Sequence, residues 1–342
     1  MINLSRRDAL KAAAGFSALA AVQKAYGQAN PRRIDVHHHY ALPATGNEKK
    51  KGAGQAWSPA LALEQMDKHG IETTLFSRPG GEGEEGGEKA RAFVRRCNEY
   101  IAKVVSDNPK RFGFFAVIPY SDTEGAMKEL EYAYGTLKAD GVGLMSSIGD
   151  KWPGDPAFDE VFKELNRRKA ILFQHPFTSA CCRTLIPGGE GSVERDFDST
   201  RAVTNLLYSG TLSKYPDIRY IINHAGADVP VEAGRMKDRV PGFSTFGGKP
   251  LANRDGRVDR IPNGVFYELR KLYYEIAHAA YPPAMAALTA FAPSTQYLFG
   301  TDWPAEPMES TLDELPKNKL SPDVLKALNR GNAERLFPRF KG

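Results

Sequence analysis

The sequence lacks the features that mark several specialised classes of protein. Its 342 residues include only three cysteines, Cys97, Cys181 and Cys182, whose spacing matches neither a CxxC pair nor a zinc ribbon. The apolar run from Ala12 to Val22 is about half as long as a membrane-spanning helix, which needs roughly 20 residues. The Gly/Glu-rich stretch 80–88 lacks the Lys-Ser/Thr ending of a phosphate-binding loop. These absences argue against a disulfide scaffold, a membrane span and a P-loop.

An excess of one charge is also largely missing. The formal net charge is +5 at pH 7, and the first 29 residues contribute +3 of it. No basic patch with interleaved aromatic residues stands in the remainder, so we do not expect a nucleic acid as partner. With 42% hydrophobic and 25% charged residues, the chain has an ordinary globular composition, and its length suits a single α/β barrel.

The first 29 residues resemble a twin-arginine export signal. The segment Ser5-Arg6-Arg7-Asp8-Ala9-Leu10-Lys11 precedes the apolar run, and small residues follow it at positions 25, 27 and 29. Ala9 departs from the pattern, in which Phe is common, and a basic Ala-rich helix is the alternative. We therefore predict a signal peptide over 1–29, a location in the bacterial periplasm or outside the cell, and no stable membrane anchor.

From residue 30 to 342, short apolar runs alternate with amphipathic stretches and no linker interrupts them. This alternation predicts βα units, and eight of them favour one closed (β/α)₈ TIM barrel. The predicted strands are 33–36, 72–76, 112–118, 141–145, 170–174, 218–223, 272–277 and 296–299. The predicted helices include 88–106, 122–137, 155–168, 199–214 and 282–291.

Ionisable residues stand where several of these strands end, which is where the active site of such a barrel lies. The spacing of His37 and His39 points both side chains toward the barrel axis, while His38 points away. His175, His224 and Asp302 follow three later strands. A lone HxH pair, or one histidine at a strand end, is more often structural. Five such residues together indicate a metal site, and imidazoles with one carboxylate suit Zn²⁺ best, with Mn²⁺ or Fe²⁺ as alternatives.

At these positions the chain resembles the amidohydrolase-related family. The resemblance is to its decarboxylase group, which acts on α-amino-β-carboxymuconate-ε-semialdehyde, γ-resorcylate and, most similar here, 6-methylsalicylate. The matching segments extend from residue 34 to the C-terminus: Ile34-Asp35-Val36-His37-His38-His39, Arg111-Phe112-Gly113-Phe114-Phe115-Ala116, Asp140-Gly141-Val142-Gly143-Leu144, Phe173-Gln174-His175-Pro176, His224-Ala225-Gly226, Phe299-Gly300-Thr301-Asp302-Trp303-Pro304 and Gly331-Asn332-Ala333-Glu334-Arg335-Leu336-Phe337.

The resemblance assigns separate roles to the residues already selected. It implies that His37, His39, His175 and Asp302 bind one divalent metal and that His224 is the catalytic acid/base. Asp302 could share in proton transfer. Two features depart from the family: His278 stands where relatives usually carry a neutral stretch, and the group's best-known decarboxylases work inside cells. His278 is therefore either a substrate contact or a residue of the barrel rim.

The leading functional hypothesis is metal-dependent, non-oxidative decarboxylation of a small aromatic or unsaturated carboxylic acid. Hydrolysis of a lactone or amide is the alternative, because fold and metal permit both reactions. No Lys ends a strand where it could bridge two metals, which favours decarboxylation. A non-catalytic binding protein would have lost a site residue, and none is lost.

Other features leave alternatives open. Arg78 and Arg235 are candidates for binding the substrate carboxylate, although either could be a surface arginine. The loops 178–197 and 241–263 could act as lids or be surface excursions. Cys181 and Cys182 are either ordinary loop thiols or a vicinal redox pair, and Cys97 should be buried. A homodimer is expected from the resemblance alone.

Overall fold

In the computed structural model, a parallel barrel of eight strands is surrounded by helices. The structure describes residues 31–43, 57–78, 86–183, 185–240 and 256–342, so the predicted signal peptide over 1–29 lies outside the described residues. The strands are β1 (Arg33–His39), β2 (Ile71–Ser77), β3 (Phe112–Ala116), β4 (Gly141–Met145), β5 (Ile171–His175), β6 (Arg219–Ile222), β7 (Tyr273–Glu275) and β8 (Tyr297–Leu298). The predicted (β/α)₈ fold is thereby confirmed.

The helices lie between and after the strands. They are α1 (Pro59–Lys68), α2 (Gly87–Asp107), α3 (Thr123–Gly135), α4 (Asp159–Arg167), α5 (Arg195–Tyr208), α6 (Thr211–Lys214), α7 (Val229–Asp238), α8 (Val265–Arg270), α9 (Pro282–Phe291), α10 (Glu309–Leu312), α11 (Pro322–Lys326) and α12 (Asn332–Leu336). None of the helices in the described ranges combines the length and apolar character needed to cross a membrane.

The strands pair in chain order, each parallel to the next, as expected where every crossover is a helix. The first and last strands meet through the residue that follows β8, because the Val36 N–H donates to the Phe299 carbonyl at 3.0 Å. A compact apolar set fills the barrel and is covered at the N-terminal end of the strands by the last helical segments. Its strand members are Ile34, Val36, Leu75, Phe115, Ile171, Phe173, Ile221 and Leu298, and its C-terminal members are Ala333, Leu336, Phe337 and Phe340.

A β-bulge in β1 decides which side chains of that strand enter the barrel. Asp35 pairs with Thr74 and His38 with Phe76, so three steps along β1 lie opposite two steps along β2. The extra residue reverses the alternation of side chains. Ile34 and Val36 point inward before the bulge, and His37 and His39 point inward after it. Without the bulge, the interior position would fall to His38.

Two differences from the sequence-based expectations concern helices. The helix predicted over 199–214 begins earlier, at Arg195, and is broken into α5 and α6 at Gly210, whose φ of +85° interrupts the helical backbone. Helices α7 and α8 were not predicted. Helix α7 follows directly after the His224 segment, and Pro230 in its first turn is a favourable start for a helix.

Candidate metal centre

Four of the predicted ligands converge at the C-terminal end of the barrel strands. The Nε2 atom of His39 lies 3.2 Å from Nε2 of His37 and 3.1 Å from Nε2 of His175. The Oδ1 atom of Asp302 lies 2.7 Å from Nε2 of His39 and 3.2 Å from Nε2 of His37. All four residues are buried, and together they could hold a metal ion. Ligand atoms about 2.1 Å from one metal lie about 3 to 3.5 Å apart, so this spacing fits a common ion.

Hydrogen bonds on the far side of two rings turn their Nε2 lone pairs toward this point. The Nδ1 atom of His37 lies 2.8 Å from Oε1 of Glu275, and Nδ1 of His39 lies 3.2 Å from the Ser77 carbonyl. Both partners accept, so the ring proton sits on Nδ1 and Nε2 is left with a lone pair. Lone pairs that face one another at about 3 Å repel unless a cation lies between them. The donor set therefore fits a divalent metal.

The protonation of the cluster supports this reading. Burial lowers the pKa of His39, and it lowers the pKa of His175 well below its usual value, so both rings are neutral as metal ligands must be. Burial also opposes protonation of His37, but the carboxylates of Asp302 and Glu275 outweigh it and raise the pKa of His37 to about 10. The carboxylates of the cluster thus favour a positive charge at this point, as a bound metal ion would supply.

A network beneath the cluster fixes the backbone of its ligands. Oδ1 of Asp35 accepts from the N–H groups of His37 and Thr301, both at 3.1 Å, and Oδ2 accepts from the Thr301 hydroxyl at 2.6 Å. Asp302 follows with a φ of +61°, a left-handed conformation that is unfavourable for a residue with a Cβ. The network holds Asp302 in this strained conformation, which directs its carboxylate toward the imidazoles.

His224 stands beside the cluster with one ring nitrogen facing it. Its Nε2 is buried, makes no hydrogen bond within the described residues and lies 3.8 Å from Oδ2 of Asp302. Its Nδ1 lies 2.7 Å from Oδ1 of Asp196 on α5. Burial opposes protonation of His224, but Asp196 and Asp302 raise its pKa to about 9. The ring therefore holds a proton readily at the edge of the metal centre.

His278 also reaches the cluster. Its Nε2 lies 3.0 Å from Oδ2 of Asp302, and its side chain is 34% exposed. The ring centre is 5.0 Å from that of His224. His278 has a φ of +56° and His224 a φ of +50°, so both share the strained conformation of Asp302. The structure thus places His278 beside the cluster and partly exposed at the rim of the barrel, and a substrate contact stays a prediction.

The two predicted arginines are placed differently. Arg78 directly follows Ser77, the partner of His39, and its guanidinium carbon lies 5.2 Å from the ring centre of Phe93. Arg235 lies on α7 with a side chain that is 74% exposed, 4.0 Å from Glu232. Within the described ranges, no contact joins Arg235 to the metal cluster. The structure therefore packs the Arg78 guanidinium against Phe93 of α2, just after the end of β2, and leaves Arg235 on the outer surface.

The remaining sequence-based predictions concern His38, the three cysteines and the second predicted lid. His38 points away from the cluster, as predicted, with its ring centre 4.9 Å from the Trp303 ring and 5.2 Å from the Phe76 ring. Cys97 is buried. Cys181 and Cys182 are joined in a disulfide, so the alternative of two ordinary loop thiols is wrong. A redox role for the pair stays a prediction. Most of the second predicted lid, residues 241–255, lies outside the described residues.

Sequence reasoning missed two carboxylates that orient the site. Glu275 lies within β7 and is fully buried, and a buried acid inside a predicted strand was a signal that could have revealed it. Asp196 lies in the first turn of α5, after a long irregular connection. No local pattern connects Asp196 to His224, because the contact depends on how that connection folds.

The fold and this metal centre define a class of protein. The family model described as amidohydrolase matches residues 34–339, which is most of the chain, and the chain belongs to this family. It is 31% identical to the 6-methylsalicylic acid decarboxylase of Penicillium expansum over 328 residues, covering 91% of this chain and 97% of that protein. It is 26% identical to a gamma-resorcylate decarboxylase of Polaromonas sp. over 292 residues, covering 80% and 85% respectively.

Solved structures agree with the fold. The crystal structure of a dihydroxybenzoic acid decarboxylase from Polaromonas sp., with bound manganese and the inhibitor 2-nitroresorcinol, superposes with a TM-score of 0.71 at 19% identity. The match covers 91% of this chain and 98% of that one. The predicted family and barrel are confirmed, and the predicted metal-dependent decarboxylase is supported by these relatives.

Proposed function

We propose that this protein is a metal-dependent, non-oxidative decarboxylase of a small aromatic carboxylic acid, of the 6-methylsalicylate or resorcylate type. The observation that carries the proposal is the buried His₃Asp cluster with Nε2 of His224 facing it, 3.8 Å from Oδ2 of Asp302. The 31% identity to a 6-methylsalicylic acid decarboxylase along nearly the whole chain supports the same reaction.

His37, His39, His175 and Asp302 are the proposed ligands of one divalent metal. The donor set favours Zn²⁺, and Mn²⁺ is the alternative because one structural neighbour contains it. When bound, the metal supplies a Lewis acid that holds and polarises the substrate carboxylate and any adjacent hydroxyl. The buried position of the four ligands keeps bulk water away from the reacting carbon and strengthens these charge interactions.

His224 is the proposed acid/base. A pKa raised to about 9 keeps the ring protonated near neutral pH, with one proton on Nε2 facing the site. That proton passes to the ring carbon that carries the carboxylate, the bond from this carbon to the carboxylate breaks, and CO₂ leaves as the electron pair returns to the ring. Asp302, 3.8 Å away, stabilises the charged imidazole before the transfer.

His278 and Arg78 are proposed to contact the substrate. His278 stands between the cluster and solvent, where a ring substituent would pass, and its Nε2 can donate a hydrogen bond. Arg78 supplies a fixed positive charge near Ser77, suited to a carboxylate. Arg235, exposed on α7, stays the weaker of the two arginine candidates.

The proposal also covers the cellular location of the protein and its oligomeric state. Residues 1–29 are proposed to direct the folded, metal-loaded enzyme to the bacterial periplasm or the exterior, with no lasting membrane anchor. We further propose a homodimer, which size-exclusion chromatography with light scattering tests directly.

The experiment measures bound metal by elemental analysis and CO₂ release from a panel of hydroxybenzoates and unsaturated diacids. Lactones and amides run in parallel as substrates for hydrolysis. The expected result is about one metal per chain and CO₂ release that disappears in His224→Ala while the metal is retained. His69→Asn, a change near the N-terminal end of β2, is the matched control and should keep full activity. Hydrolysis without CO₂ release would replace the proposed reaction, and a folded chain without metal would contradict the site itself.

A further inference from the structure

Asp196 makes the only side-chain hydrogen bond to the His224 ring within the described residues. Its Oδ1 lies 2.7 Å from Nδ1, a short distance typical of a charge-assisted hydrogen bond. We propose that Asp196 is a positioning residue that keeps a proton on Nδ1 of His224 and thereby reserves Nε2 for proton exchange with the substrate. This inference rests on the proposed function, because it assigns the orientation of the proposed acid/base.

A backbone hydrogen bond and a stacking contact fix the position of the His224 ring, but they do not decide which ring nitrogen carries the proton. Oε1 of Glu275 accepts from the His224 N–H at 2.8 Å. The ring stacks on His37 with centres 5.6 Å apart and planes 12° apart. Neither contact touches a ring nitrogen of His224, so neither distinguishes its two tautomers.

Two carboxylates lie on opposite sides of the His224 ring, at different distances from its nitrogens. Asp196 lies 2.7 Å from Nδ1, whereas Asp302 lies 3.8 Å from Nε2, beyond hydrogen-bonding distance. Only Asp196 is close enough to accept a hydrogen bond from the ring, so the neutral ring carries its proton on Nδ1. Without Asp196, no side chain of the described residues would hold the proton on Nδ1, and a ring with its proton on Nε2 could not accept one at the atom that faces the site.

The position of Asp196 is itself secured by the framework behind the site. Asp196 lies in the first turn of α5, which continues directly from the π-helical turn Glu190–Glu194, so a helical backbone holds it from both sides. Three residues further on, the Ser199 hydroxyl donates to Oδ1 of Asn223 at 2.9 Å, and Asn223 is the residue directly before His224. This buried link holds the start of α5 at a fixed distance from the His224 backbone.

Asp196 also lies at the end of the connection that begins after His175. That connection carries the Cys181–Cys182 disulfide and the π-helical turn Glu190–Glu194. The carboxylate is 41% exposed, so it sits at the rim while its partner His224 is buried. The correct tautomer of His224 therefore depends on how this connection is folded.

The test compares Asp196→Asn, which can donate to Nδ1 and so favours the wrong tautomer, with Asp196→Glu, which keeps the charge. Asp228→Asn is the matched control, because Asp228 interacts electrostatically with Asp196 but makes no side-chain hydrogen bond to His224 within the described residues. We expect Asp196→Asn to lower kcat for CO₂ release about 10- to 100-fold with metal content and KM nearly unchanged. Asp196→Glu should recover part of the loss, and Asp228→Asn should behave like the wild type.

A second readout does not depend on turnover. In the Zn²⁺-loaded protein labelled with ¹⁵N-histidine and held at a pH above 9, where the His224 ring is neutral, the ring nitrogen shifts of His224, identified by their loss in His224→Gln, report the tautomer. We expect the Nδ1–H form in the wild type and its loss in Asp196→Asn. An unchanged tautomer and an unchanged kcat in Asp196→Asn would overturn the inference. A wild type with the Nδ1–H form but no CO₂ release would instead contradict the proposed function and leave the role of Asp196 standing.

Discussion

Replacing Glu275 with Gln should weaken metal binding although Glu275 is not among the proposed ligands. Oε1 of Glu275 accepts from Nδ1 of His37 and from the His224 N–H, both at 2.8 Å, while Oε2 accepts from the Ala277 N–H at 2.7 Å. A Gln amide has one acceptor oxygen and one donor nitrogen, so at least one of these donors would face another donor in either orientation.

The size of the effect follows from these contacts. Loss of a partner that orients a ligating histidine costs about 10- to 100-fold in metal affinity, which corresponds to about 1.4 to 2.7 kcal/mol. The His37 ring would also lose the negative charge that helps raise its pKa to about 10. The site would then stabilise a positive charge less well, whether that charge is a proton or a metal.

The assay is a competition titration of Zn²⁺ between the protein and a chromogenic chelator, with thermal unfolding measured in parallel. Glu268→Gln is the control, because Glu268 is equally buried but bonds to Ser213 at 2.8 Å, on the α6 and α8 side of the barrel. We expect both variants to lose stability and only Glu275→Gln to lose affinity. Wild-type affinity in Glu275→Gln would refute the claim that this carboxylate orients His37.

Two further predictions concern packing and charge. Gly300→Ala should reduce both metal content and melting temperature, since a Cβ at this position would come within 3.0 Å of Cβ of His37 and closer still to Oε2 of Glu275; a variant with full metal content would contradict this. Asp122→Asn should cost about 0.5 to 1 kcal/mol of unfolding free energy at pH 7, because Asp122 pairs with Arg91 through two hydrogen bonds, at 2.5 and 2.7 Å, while Asn can still cap α3 through the Gly125 N–H. Its hydrogen bonds with Arg91 and Gly125 lower the pKa of Asp122 to about 2 from 3.8, so the stabilisation is complete above pH 3.8 and is lost as the pH falls toward 2. The free energies of unfolding of the wild type and Asp122→Asn, measured by urea titration, should therefore converge at low pH. An equal difference between them at pH 7 and pH 2 would contradict the assignment.

The fold could be predicted from the sequence because strand and helix patterns alternate without interruption, and the five selected site residues followed from their positions at strand ends. The orientation of the HxH pair was predicted correctly, but not for a reason visible in the sequence. Alternation from Ile34 and Val36 would have placed His38 inside the barrel, and only the bulge opposite Thr74 and Phe76 reverses it. Such a bulge depends on pairing with β2, which no local pattern in β1 specifies.

The break between α5 and α6 was missed because the apolar periodicity of 199–214 looks continuous across Gly210, and a single glycine in a helical pattern is often tolerated. The contact between Asp196 and His224 could not be predicted, because it depends on where a long connection places the chain. Glu275 was different, because it stands in a predicted strand and burial of an acid there calls for a partner. Reading each buried strand position for its chemistry would have identified it.

Three of the residues at the metal centre, His224, His278 and Asp302, are held at φ values of +50°, +56° and +61°. At about 1 to 2 kcal/mol each, they together cost about 3 to 6 kcal/mol, a large share of the 5 to 15 kcal/mol by which a typical domain is stable. Glycine at any of the three would relieve that cost and remove a functional side chain. Selection for stability alone would therefore favour loss of the site. A laboratory search for heat-resistant variants should include glycine substitutions at these three positions among the variants that are stable but inactive.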